Sequence, residues 1–239
     1  MASRTSIGQA LRALGRPVFT TREVAAVRGG SIAATSRSLA RLEGEGRVVR
    51  ARRGVWCDPE DPAFTPFALV HFLAGTHPAY VSFVSALHLH GLVEQIPQVI
   101  YAATTGHTAR RRTPIATYSF HRIDPRFFDG FDWYRGGNDF LIAEPEKALI
   151  DSLYLASRKG KRFGRFPELD LGPGFRFERA EEWIERIPYQ HIRHFVARRF
   201  QELNKRQKAA DLRVHERKRT AGSTLSSGEI LKHRDADRR

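Results

Sequence analysis

Arg37 and Arg41 stand four residues apart, with Thr35, Ser36 and Ser38 beside them. On a helix that spacing sets the two guanidinium groups on one face. An arginine fork matches phosphate oxygens and the guanine edge, and hydroxyl side chains are short enough to approach a base. Further on, Arg50, Arg52 and Arg53 crowd a turn that holds Gly54. The chemistry offered is the binding of a polyanion rather than the making or breaking of bonds. Ser31, Thr35, Ser36, Arg37 and Arg41 are therefore expected to face a DNA groove. Arg50, Arg52 and Arg53 are expected to meet phosphates or a minor groove.

Other groupings suggest chemistry less strongly. Glu144, Glu146, Lys147 and Asp151 form an acidic cluster with one lysine. Proline at a first helical position, acids near a helix N-terminus and a Lys–Asp pair at i,i+4 account for it without catalysis. His88 and His90 lie near His71 and His77, but residues two apart do not share a helix face, and there is a single cysteine, Cys57. No metal ion or cofactor is expected, and no catalytic residue is assigned. Arg28-Gly29-Gly30-Ser31 lacks the lysine and the preceding strand of a phosphate loop. Arg110-Arg111-Arg112 is either a further phosphate contact or a solvated hairpin tip.

The charge is placed unevenly. The net charge is +14, and residues 1–56 carry 11 Lys/Arg against 3 Asp/Glu. Residues 57–197 carry 16 against 17, and residues 198–239 carry 13 against 6. Two basic ends flank a neutral middle, which favours an acidic partner such as nucleic acid. No stretch reaches the roughly 18 apolar residues of a membrane span. The segment Met1 to Arg12 has no apolar run of the secretory kind. With one cysteine there is no intrachain disulfide, and a reducing cytoplasm is the expected compartment.

The elements that must position these residues follow from pattern. Ile7, Ala10, Leu11 and Leu14 recur at helical spacing before Gly15. Val18-Phe19 is a short extended entry. Thr20 and Glu23 form a capping box that opens a second helix, and Gly29-Gly30 breaks it. Ser31 caps a third helix with Ile32, Thr35, Leu39 and Leu42, which stops at Gly44 or Gly46. Val48 to Trp56 is a basic hairpin. Asp58, Pro59, Asp61, Pro62 and Pro66 mark a boundary. Beyond it, helices are expected over 67–75, 82–89, 145–156, 179–187 and 190–203. Strands are expected over 98–104, 115–122 and 139–143, the first two paired, with 106–113 as their link and a loop over 167–174. The fold class is α+β. A winged helix-turn-helix over 1–60 precedes a mixed α+β domain over 61–204 and a basic, partly disordered extension over 205–239.

The assembled pieces resemble the AbiEi-type antitoxins of type IV toxin–antitoxin systems over roughly residues 5–200. The resemblance runs through Leu14-Gly15 and Val18-Phe19-Thr20, then Ser38 to Leu42, Gly46 to Arg50 and the hairpin Arg52 to Trp56. It continues through Ser85-Ala86-Leu87, Gly91-Leu92, Gln95-Ile96-Pro97 and Ala143 to Asp151. The ordered set with Pro145-Glu146-Lys147-Ala148-Leu149 is its most specific part. The resemblance implies a transcriptional repressor that binds inverted repeats in its own promoter; binding is expected to use two copies on two half-sites. Its second domain would neutralise a nucleotidyltransferase-like toxin, and such antitoxins are not thought to need direct toxin contact. Two alternatives stay open: an RNA-binding module, and an enzyme acting on nucleic acid through Glu144, Glu146, Lys147 and Asp151.

Overall fold

The computed structural model describes residues 5–134, 140–158 and 169–209, and all that follows concerns these. The fold is mixed α+β with two sheets. Helix α1 (Ile7–Leu14) starts at a capping box of Ser6 and Gln9 and ends at Gly15, whose φ of 61° is left-handed. A glycine takes that conformation without steric cost, which is why the helix stops there. Strand β1 (Val18–Thr20) leads into α2 (Thr21–Arg28). The expected Thr20–Glu23 box opens α2: the Glu23 amide donates to Thr20 Oγ1 at 3.2 Å and the Thr20 amide donates to Glu23 Oε2 at 2.7 Å. Burial opposes ionisation of Glu23. The Thr20 amide and hydroxyl and the Arg16 guanidinium nevertheless hold its carboxyl below the usual value.

Ser31 caps α3 (Ile32–Gly44) by accepting from the Ala34 amide at 3.2 Å. Strands β2 (Val49–Arg52) and β3 (Val55–Cys57) form the basic hairpin, and β3 lies between β1 and β2, antiparallel to both. Alternation in β3 divides its side chains between two cores. Trp56 and its register partner Phe19 pack with Ile7, Ala10, Val24, Leu39 and Leu42 of the helices. Val55, Cys57 and Val18 turn the other way and join the core of the rest of the chain.

That larger core surrounds a six-stranded sheet. Its strands are β4 (Ala79–Val81), β5 (Ile100–Thr104), β6 (Ala109–Arg112), β7 (Thr117–Arg122), β8 (Phe131–Trp133) and β9 (Leu141–Ala143), in the order β6-β7-β5-β4-β9-β8. The helices are α4 (Leu69–Ala74), α5 (Phe83–Leu89), α6 (Pro145–Ala156), α7 (Phe177–Glu185) and α8 over 190–209. The expected pairing of the segments over 98–104 and 115–122 forms, as parallel β5 and β7. The expected link between them needs correction, because Ala109–Arg112 is itself a strand, antiparallel to β7. A parallel pair requires a crossover, and β6 with its flanking turns supplies it. Three arginines suit an edge strand, since their charge discourages pairing with another chain.

Helix α6 spans the expected residues, but burial exceeds the one expected apolar face: every residue from Glu146 to Leu155 is buried. Helix α8 runs past the expected end at Leu203 as far as 209. Pro167, Asp139 and residues 210–239, with most of the basic extension, lie outside the described residues. No described helix is long and apolar enough to cross a membrane.

Cys57 sits where the three-stranded sheet meets the larger core, and it is fully buried. Burial, then the Asp58 charge, pushes its thiol up to about 12. At pH 8 about one molecule in ten thousand would hold the thiolate, the reactive form. Labelling of the native protein by a thiol-reactive disulfide should therefore be limited by opening of this contact, and urea should accelerate it steeply. Stoichiometric labelling within seconds of mixing would show that the sheet is not covered.

Candidate nucleic-acid interface

Helix α3 has two unlike sides. Thr35, Leu39 and Leu42 are buried, whereas Ile32, Ala33, Ser36, Arg37, Ala40 and Arg41 are exposed. At about 100° per residue the exposed set covers one half of the helix surface. Ser36, Arg37 and Arg41 therefore share the outward face that their spacing predicts. Arg37 has no hydrogen bond or ion pair among the described residues. Arg41 is 71% exposed and lies 3.6 Å from Glu45, an i,i+4 pair too solvated to hold it firmly.

Thr35 does not belong to this face. Its relative exposure is 0%, and it points to the core beside Leu39 and Leu42. Its Oγ1 has no hydrogen-bond partner among the described residues. The expectation that it contacts a groove is corrected: it lies four residues before Leu39 and seven before Leu42, a spacing that puts all three on the core stripe of the helix. Ser38 also faces inward. It accepts from Arg28 Nη1 at 2.9 Å, and Arg28 Nε donates to the Thr5 carbonyl, so one guanidinium ties α2 to α3 and to the start of α1. Ser31 is exposed, and its hydroxyl is engaged as the cap.

The hairpin arginines separate in the same way. Arg52 and Arg53 are exposed and without partners among the described residues. Arg50 is held: its guanidinium lies 5.0 Å above the Trp56 ring and pairs with Glu43 at 3.2 Å, and its amide donates to the same carboxylate. Arg50 thus fastens β2 to the end of α3. The hairpin's attachment is completed by Trp56 Nε1, which donates to Thr21 Oγ1 at 2.8 Å, and by the Thr21 amide, which donates to the Gly54 carbonyl. The hairpin tip is braced against the start of α2, and α3 against its end.

The acidic cluster proves to be a buried frame. Lys147 and Asp151 are both at 0% exposure and form an ion pair. The ammonium also donates to Tyr80 Oη at 2.9 Å and sits 4.0 Å from the Phe127 ring centre. Tyr80 and Ser82 each donate to Asp151 Oδ2, at 2.9 and 2.8 Å. Desolvation lowers the Lys147 pKa despite the opposing pull of Asp151. Glu146 accepts from the Arg176 amide at 2.9 Å, and Glu144 from Arg179 Nε at 2.9 Å and from the Trp183 indole. Gly130 has a positive φ of 75°, and a Cβ there would overlap the Trp183 ring, so the position requires glycine on both counts. Tyr80, Ser82, Arg176, Arg179 and Trp183 were not singled out by the sequence; the one signal was a Lys–Asp pair inside an apolar run. A groove of about 750 Å³ adjoins this frame, lined in part by His90, Trp133, Tyr134, Glu144, Arg176 and Arg179. His88 Nδ1 and His90 Nε2 each bond a backbone carbonyl, of Val93 and Ala143. Of the triple-arginine strand, Arg110, Arg111 and Arg112 are all exposed.

No family model matches the chain, and the search of curated proteins finds no match.

Two outcomes follow. Thr35→Val should be neutral or stabilising by about 1 kcal/mol in urea unfolding, because it removes an unsatisfied buried hydroxyl. It should leave nucleic-acid binding unchanged, and a large loss of binding would return Thr35 to the interface. Lys147→Met should cost about 3–5 kcal/mol by leaving Asp151 buried without its cation. Pairing it with Asp151→Leu should recover part of that loss, and full additivity would argue against the coupled pair.

Proposed function

We propose that the chain is a DNA-binding transcriptional repressor whose first 60 residues form a winged helix-turn-helix. The observation that carries the reading is the contrast among the N-terminal arginines. Arg28 and Arg50 are bound within the fold, while Arg37, Arg52 and Arg53 project from α3 and the hairpin tip without partners among the described residues. Unpaired cations on two braced elements suit a polyanion, because no internal ion pair has to be broken when phosphate arrives. The element order α1-β1-α2-α3-β2-β3, with β3 central, supports a recognition helix followed by a wing.

In this reading α3 enters the major groove, with Ser36, Arg37 and Arg41 toward the bases and phosphates. Arg52 and Arg53 supply affinity that is blind to sequence. Two copies bind two half-sites of an inverted repeat. The finer reading, an antitoxin of a type IV system that regulates its own operon, rests on the family resemblance. Its most specific segment, Ala143 to Asp151, is the end of β9 and the start of α6, at the buried centre of the larger core. The antitoxin role is tested by expressing the neighbouring gene with and without this chain: rescue of growth supports it, and toxicity unchanged by the chain removes it.

The repressor reading is tested by salt-titrated binding to the chain's own upstream DNA and to a scrambled duplex. A preference of roughly a thousandfold is expected. Replacing Arg52 and Arg53 together by Ala should weaken both duplexes alike and lower the salt slope by about two. Arg37→Ala should lower chiefly the preference, by about 1–3 kcal/mol. Equal losses on the two duplexes would remove Arg37 as a base reader. Equal, steeply salt-dependent binding of the unaltered protein would turn attention to structured RNA.

A further inference from the structure

Ile32 is the first residue of α3, and 53% of its surface is exposed. It is next to Ala33 and one turn before Ser36, and with Arg37 these residues lie on the exposed half of the helix. Nothing in the local fold requires an apolar side chain there. The cap is made by Ser31, and the core face begins at Thr35. An acid at this position would favour the helix dipole, yet the first turn contains none. The exposed face thus combines an apolar end and an arginine, with no carboxylate in the first turn to repel a phosphate.

We propose that this face reads a thymine and a guanine of one half-site: Ile32, with Ala33, covers the thymine methyl, and Arg37 addresses the guanine. The inference rests on the DNA-reading role of α3. In the major groove the C5-methyl of thymine is the one apolar group, while guanine, adenine and cytosine present polar edges that an isoleucine cannot satisfy. The Ile32 branch is therefore matched by thymine alone. Arg37 lies five residues further along, a rise of roughly 7.5 Å and a turn of roughly 140°, so the two side chains reach the groove from opposite edges of the exposed half. The thymine and the guanine are expected in the same half-site.

The experiment begins by selecting tightly bound duplexes from a random library with the full chain. Each thymine of the selected site is then replaced by deoxyuridine, which lacks only the methyl group. One thymine per half-site should respond with a roughly fourfold loss of affinity, the effect of uncovering one buried methyl. Ile32→Ala should bind the thymine and uracil duplexes within twofold of each other. Its thermal unfolding should match the parent, since the side chain is largely solvated. The proposal is overturned if no thymine position responds, or if Ile32→Ala keeps the full uracil penalty. If no duplex is enriched at all, the DNA-reading role of α3 fails and this inference fails with it. Enrichment without uracil sensitivity sinks the thymine reading alone.

Discussion

Strand β3 is three residues long and buried on both sides, and the candidate interface depends on it. Its tryptophan enters the small helical core and hydrogen-bonds the first residue of α2, while Val55 and Cys57 enter the larger core. Burying side chains of this size on both faces contributes several kcal/mol of apolar transfer energy in total. The hairpin cannot tilt without exposing one core or the other. The direction of Arg52 and Arg53 relative to α3 is therefore set by packing, and it does not depend on a partner. A site that is held before binding loses less conformational entropy on binding.

The larger core meets the same demand with polar groups. Helix α6 is buried all round, so its charged residues have no route to water. Lys147 and Asp151 pair with one another, Tyr80 bonds both of them, and Ser82 donates to Asp151. Glu144 and Glu146 reach across to Arg179 and Arg176, which clamps the segment from 176 to 187 onto the start of α6. Such a network need not add net stability over an apolar core. Losing one member is costly, which ties the strand carrying Tyr80 to both helices. The two charge clusters thus differ in kind. The one in α6 is closed upon itself, while that of α3 and the hairpin tip is open to solvent.

How much could be read in advance varied with the range of the interaction. The capping box of Thr20 and Glu23, the Ser31 cap, the stop at Gly44, the turn at Gly54 and both ends of α6 lie within a few residues of what they control. Such local signals were legible. The hydroxyl of Thr35 suggests a groove contact, whereas its i, i+4, i+7 spacing with Leu39 and Leu42 places it on the core stripe. The strand at Ala109–Arg112 is not legible in this way, since three arginines carry no alternation and its partner at Thr117–Phe120 is a separate segment.

The sequence by itself determined the order of the elements up to Cys57, the basic character of the N-terminal segment and the helix face shared by Ser36, Arg37 and Arg41. Those depend on residue type and helical period, which neighbours along the chain specify. Only the tertiary structure decided which arginines are available and which are spent inside the fold. Arg28 and Arg50 look no different in sequence from Arg37 and Arg52. They are held because Ser38, Glu43 and Trp56 happen to come within reach once the helices and hairpin have packed. The same holds for Lys147, whose i,i+4 spacing to Asp151 was visible but whose enclosure by Tyr80, Phe127 and Trp183 required contacts across the whole larger core.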